Sequence, residues 1–170
     1  MGHGIDVGSG DDSLGKYHLL FPLVKSVEAF DKEQGDAQYL SESRSVPYDF
    51  LYSSHCLEHL VDPWDALADW CNCVKVGGRL IVVVPEEDMY EQGVWPSRYN
   101  GDHKHTFTMY KSKSWSPVSV NVLDLVSFVS DVAECVSVRK LDATYRSGVD
   151  GDQTLGIGEC GIEFVLRKIA

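Results

Sequence analysis

The chain has 170 residues, 44% hydrophobic and 24% charged, which fits one soluble globular domain spanning residues 1–170. Its formal net charge of −11 argues against a nucleic-acid partner, which needs a basic stripe, and suits a small ligand, above all a cationic one. No stretch approaches transmembrane length, the N-terminus lacks a signal peptide's basic and apolar regions, and the five cysteines contain no CxxC pair, so a reduced cytoplasmic setting is expected.

The first expected element is a short strand, "GIDV" at 4–7, ending in the turn "GSGDDS". Glycines after a first parallel strand let a ligand approach the backbone closely. A dinucleotide fingerprint would add a third glycine and a free helix N-terminus for pyrophosphate. Asp11 and Asp12 stand there instead and would repel phosphate, so the expected ligand is a nucleoside without phosphates, and a nicotinamide-dependent dehydrogenase is disfavoured. "LVKSVEAFD", 23–31, reads as a second strand ending in Asp31, where a carboxylate can accept from both ribose hydroxyls. In Gly35-Asp36-Ala37, a carboxylate beside a small residue can accept from an adenine amino group while the backbone follows the base edge.

"YDFLYSS", 48–54, reads as a third strand that delivers Ser54 and His55 to the crevice where α/β sheets bind ligands. Next, His55-Cys-Leu-Glu58-His59 spells the H-x-x-E-H zinc-peptidase pattern. Only a turn or so fits before Asp62-Pro63 opens a new helix, so the histidines cannot share one helix face, and no metal site is expected. Glu58 and His59 are read as structural, bonding the loop or helix start. The helix "VDPWDALADWCNCVKVGG" has Asp62 as N-cap, Pro63 at its first position and Gly77-Gly78 as its end. "RLIVVVP" reads as a strand buried on both faces.

Residues 86–115 read as an irregular aromatic loop in which His103 or His105 could reach the crevice as a base. Trp95, Tyr99, Phe107 and Trp115 around them suit either a substrate lid or a satellite core. A helix is expected within 116–134, then the strands "CVSVRKL" and "GIEFVLRKI", joined by a Gly- and Asp-rich loop and so antiparallel. The expected fold is α/β and Rossmann-like: a mostly parallel sheet flanked by helices, with an antiparallel C-terminal strand pair.

Taken in order, "GIDVGSG…AFD…GDAQYL…YDFLYSSHCLEHLVDPWDALADWCNCVKVGGRLIVVVPEED" resembles the class I S-adenosylmethionine-dependent methyltransferases over residues 4–88. It is most similar to the compact kind often associated with cell-surface or polysaccharide genes. The resemblance implies that Asp6, Gly8, Ser9 and Gly10 cradle the methionine part of S-adenosylmethionine. It also implies that Asp31 holds the ribose, Asp36 and Ala37 meet the adenine, and Ser54 and His55 line the methyl-donor side. It departs from the family in having Asp12 after the glycines and in lacking the usual helix and third strand between Asp31 and Asp36. The sheet is therefore expected to be shortened around the third strand, with a homodimer or partner subunit covering that edge. The activity implied is methyl transfer to a small-molecule or sugar acceptor, most simply an oxygen, with His55, His103 and His105 as candidate bases. The alternative is a catalytically inactive cofactor-binding subunit or regulatory module.

Overall fold

The β-branched and aromatic runs build one sheet, and the ends of those runs build the site. The computed structural model describes every residue except Met1, Ser45, Val46 and Ile157. In chain order its strands are β1 (His3–Val7), β2 (Ser26–Phe30), β3 (Tyr48–Ser54), β4 (Val74–Pro85), β5 (Thr106–Thr108), β6 (Ser119–Asn121), β7 (Ala133–Leu141) and β8 (Gly161–Lys168). The helices are α1 (Leu40–Ser43), α2 (Pro63–Asn72) and α3 (Val122–Phe128). The main sheet runs β2-β1-β3-β4-β8-β7. Its first four strands are parallel, and β8 runs antiparallel to both β4 and β7. This is the expected mostly parallel α/β sheet with an antiparallel C-terminal pair. It is also shortened as expected: β2 is an edge, and the chain returns from it through α1 directly to β3.

Helix α2 forms where its caps predict. The Asp62 carboxylate accepts from the N–H groups of Trp64 (2.9 Å) and Asp65 (3.1 Å), satisfying two donors that the helix cannot. Its inner face buries Ala66, Leu67, Trp70 and Cys71 in the main core with Leu51, Leu80 and Phe164. Trp70 is fully buried, and replacing such a residue with alanine costs about 3–5 kcal/mol. Its indole N–H donates to the Ala37 carbonyl (2.7 Å), which ties the core to the segment after β2.

Three sequence-based boundaries need correction. The helix ends at Asn72, and Gly77-Gly78 lie inside β4, at a register shift between the Tyr48–Val74 and Phe50–Arg79 pairings. Gly77 has φ +83°, and a Cβ on Gly78 would stand 2.7 Å from the Asp49 carbonyl oxygen, so the bulge needs both glycines. The second strand begins only at Ser26, after an exposed apolar run. The helix expected within 116–134 shrinks to α3, because Ser119–Asn121 pairs as β6 with β5 in a small parallel sheet. Asn121 then caps α3 through the Leu123 N–H (2.9 Å).

The core lies on the α2 side of the sheet. On the opposite side, Phe50, Tyr52 and Ile81 line an apolar groove of about 330 Å³ with Leu14, Phe21 and Val24.

Candidate functional site

The carboxyl ends of β1, β2 and β3 open onto one cleft of about 580 Å³, a size suited to a nucleoside-sized ligand. The turn after β1 forms its floor. The N–H groups of Gly8 and Ser9 both donate to the Phe30 carbonyl at the end of β2 (2.8 and 3.2 Å). Gly8 has φ +75°, and a Cβ there would stand 2.5 Å from the Cys56 Cβ, so the turn and the segment after β3 meet only through glycine. The Gly10 N–H donates to Asp31 Oδ2 (2.7 Å), and Asp31 Oδ1 accepts from the Lys32 N–H (2.7 Å). Each oxygen keeps a lone pair for a ligand hydroxyl.

The second wall is the segment after β2. Asp36 Oδ1 accepts from the Gln38 N–H (2.9 Å). Gln38, itself buried, is pinned to the start of α2: its amide donates to the Asp62 carbonyl (2.8 Å) and accepts from the Asp62 N–H (3.0 Å). Asp36 and Ala37 thus face the cleft from a segment fixed by a well-capped helix.

The third wall follows β3. His55 adopts φ +54°, uncommon for a residue with a side chain, and its N–H donates to the Val83 carbonyl (3.0 Å). Its Nδ1 lies 3.5 Å from Glu58 Oε1. Burial works to lower the His55 pKa, but the Glu58 carboxylate prevails and holds it above the ordinary range. Burial pushes the Cys56 thiol up to about 12, so it lines the cleft as a neutral group and not as a nucleophile.

Of the residues expected at a ligand, Gly8, Asp31, Asp36, Ala37 and His55 line this cleft. Asp6, Ser9, Gly10 and Ser54 do not. Asp6 is buried, and its carboxylate accepts from the Leu14 N–H (2.7 Å), shaping the loop beyond the glycines. Ser9 and Gly10 serve through their main-chain bonds, and the Ser54 hydroxyl lies by Tyr52. Neither His103 nor His105 is among the lining residues. His103 is buried, with Nδ1 2.7 Å from Glu91 Oε1, and His105 Nε2 lies 3.1 Å from the Val61 carbonyl oxygen. In an extended segment positions i and i+2 share a face, so opposite orientations do not follow from this spacing; the two imidazoles have separate partners, and neither reaches the cleft as a base.

Sequence reading missed Lys32, Cys56, Leu60 and Asp102 as lining residues, and took His59 as purely structural. Each stood beside a residue already singled out: Lys32 beside Asp31, Cys56 beside His55, Leu60 beside His59, and Asp102 beside His103. The lining carboxylates of Asp31, Asp36 and Asp102 outnumber the single cation Lys32, so the cleft favours a ligand carrying positive charge. Of the loop's aromatics, Phe107 joins the main core, Tyr99 packs on Tyr90 in a satellite cluster, Trp115 is partly exposed, and none of them lines the cleft.

Residues 20–82 match the methyltransferase domain family. No curated protein matches the chain in sequence. Among solved structures, the chain is similar to an S-adenosylmethionine-dependent methyltransferase from Clostridium acetobutylicum, with 11% identity, TM-score 0.58, and coverage of 99% of this chain and 85% of that one. It is similar to the N-methyltransferase NodS from Bradyrhizobium japonicum in complex with S-adenosylhomocysteine (12% identity, TM-score 0.58, 98% and 78% covered). It also resembles a chain in a complex between the Haloferax volcanii Trm112 methyltransferase activator and a methyltransferase (11% identity, TM-score 0.54, 99% and 83% covered). At these identities the structures establish the fold, and the matched segment supplies β2, β3, α2 and most of β4. Residues 20–82 thus carry the match to the methyltransferase domain family, and nearly the whole chain shares its fold with S-adenosylmethionine-dependent methyltransferases.

Proposed function

We propose that the chain binds S-adenosylmethionine in the cleft above β1, β2 and β3 and transfers its methyl group to an oxygen of a small-molecule or sugar acceptor. The observation that carries this reading is the meeting of Gly8, Asp31 and Asp36-Ala37 in one acidic cleft. Asp31 faces the ribose, Asp36 and Ala37 face the adenine, and the excess of carboxylates favours the sulfonium cation. Because the donor is already activated, the protein's main task is to position donor and acceptor for in-line displacement. An oxygen acceptor also loses a proton, and His55 is the histidine of the three candidates that lines the cleft.

Calorimetry with S-adenosylmethionine, S-adenosylhomocysteine and NAD tests the reading. The first two should bind and NAD should not; NAD binding alone would overturn it.

A second reading, an inactive cofactor-binding module completed by another subunit, has its own support. Leu19, Leu20, Phe21 and Leu23 are exposed, and the turn that carries the first two packs against the edge strand β2. A second copy or a partner subunit on that shortened edge would cover them. Cofactor binding without turnover on any sugar or small hydroxyl acceptor, alone or in the assembled form, would favour it. A cytoplasmic setting fits the five free cysteines, and among the described residues no helix is long and apolar enough to cross a membrane.

A further inference from the structure

Beside the cleft lies a cluster that the cofactor reading does not use. Glu58 sits in a short 3₁₀ turn (Leu57–His59), fully buried. Its main-chain carbonyl accepts from the N–H groups of Lys104 (2.8 Å) and His105 (3.2 Å), clamping the His103 segment over it. The Nε2 atoms of His59 and His103 each lie 3.9 Å from the same oxygen, Glu58 Oε1. Behind each imidazole stands a second carboxylate. His103 Nδ1 is 2.7 Å from Glu91 Oε1, and His59 Nδ1 is 3.3 Å from Asp102 Oδ2. The Glu91 carboxylate behind His103 Nδ1 fixes the tautomer that presents the His103 Nε2 lone pair forward, as in metal centres, whereas His59 Nδ1 has Asp102 nearby without a hydrogen bond. Among the described residues, neither oxygen of Glu58 has a hydrogen-bond partner.

We infer that Glu58, His59 and His103 bind a divalent transition-metal ion. A fully buried carboxylate needs a cation or hydrogen bonds to compensate its lost hydration. One donor atom from each of the three residues lies within 4.8 Å of the others. A tetrahedral set with bonds of 2.0–2.1 Å has edges of about 3.4 Å, so small side-chain rotations close the site. Two imidazoles and one carboxylate select zinc, cobalt, manganese or ferrous iron over calcium or magnesium, which prefer oxygen donors. Three protein ligands leave a coordination position open. His59 and Asp102 line the cleft, so the ion has a path in and the open position has a way out to it. The nearest group within the protein that competes for this carboxylate is His55, whose Nδ1 lies 3.5 Å from Oε1 and leaves Oε2 unpartnered.

The test uses untagged, chelator-treated protein titrated with Co²⁺ and Zn²⁺ in the absence of cofactor, so that its outcome is independent of the methyltransferase reading. Wild type should take up one ion per chain, with visible Co²⁺ absorption. His59→Asn, His103→Asn and Glu58→Gln should abolish uptake. Loss of the supporting carboxylate in Glu91→Gln should weaken affinity about 10- to 100-fold, which reads the site even if Glu58→Gln fails to fold. His55→Asn and His105→Asn should retain uptake. Wild-type protein that binds neither ion, or undiminished uptake by His59→Asn and His103→Asn, overturns the inference.

Discussion

Replacing Asp31 with alanine should weaken cofactor binding about 100-fold while leaving the chain folded. The Asp31 carboxylate already holds the Gly10 and Lys32 N–H groups at 2.7 Å each, and one lone pair per oxygen remains for the two ribose hydroxyls. Hydrogen bonds to a charged acceptor contribute about 1.5–3 kcal/mol each, and the half-buried setting argues for the low end. Two such bonds give about 3 kcal/mol, close to two decades in Kd. The stability cost should be only about 1 kcal/mol, because the freed N–H groups can reach water. Calorimetry with S-adenosylhomocysteine measures the affinity, and a urea titration measures the stability. The loss of the Gly10 anchor can be separated from the loss of the ribose contact with the 2′-deoxy ligand. If Asp31 touches the hydroxyl directly, deleting that hydroxyl costs affinity in the wild type and little more in the variant. A folded Asp31→Ala protein that binds within about threefold of wild type, a difference under 1 kcal/mol, would show that Asp31 does not hold the ribose. Asp36→Ala should cost about tenfold, since Asp36 Oδ1 is committed to Gln38 and leaves room for one further bond of about 1–1.5 kcal/mol.

Asp6 should give stability a distinctive pH dependence. Burial raises its carboxyl pKa against the opposing Leu14 N–H, so its stabilising contribution is present below the unfolded pKa and is lost as the pH rises through the folded one. Asp6→Asn keeps an acceptor for Leu14 without the charge. Its Tm should match wild type in acid and exceed it increasingly toward neutrality; a gap that narrows as the pH rises would contradict this. Thiol chemistry gives another check. Cys56, Cys71, Cys73 and Cys160 are buried, with pKa values pushed up to about 12, 11, 12 and 11, while Cys135 is exposed. An aromatic disulfide reagent at mildly alkaline pH should label one thiol in the native protein and five after unfolding.

Much of the frame was legible because its signals are local. "YDFLYSS" became β3 residue for residue, and Asp62-Pro63 opened α2 as an N-cap followed by a first-turn proline. Asp31, Asp36 and His55 reached the cleft because each follows a strand in a parallel sheet, where topology alone sets the side on which the loops emerge. Features that depend on pairing were not legible. Gly77-Gly78 resemble a helix stop until the pairing of β3 with β4 shows that they relieve a bulge. Strands β5 and β6 are three residues each, too short for a periodic signal, and they exist because they pair with each other.

The string His55-Cys-Leu-Glu58-His59 shows most clearly how local spelling and spatial chemistry diverge. A zinc-peptidase reading puts the two histidines of H-x-x-E-H on one helix, and the chain forbids that: β3 ends at Ser54 and α2 begins at Pro63. The tight turn that breaks the helical pattern also drives the Glu58 carboxylate into the interior, against two imidazoles from different segments. The second imidazole, His103, arrives because the Glu58 carbonyl captures the N–H groups of Lys104 and His105. In the proposed site the glutamate becomes a ligand, His55 stands toward the cofactor cleft, and a residue outside the string completes the donor set. Exchanging His55 and His103 for asparagine therefore separates the two activities. His55→Asn should impair methyl transfer and spare the metal, and His103→Asn should abolish metal uptake while the residues that hold the cofactor remain in place.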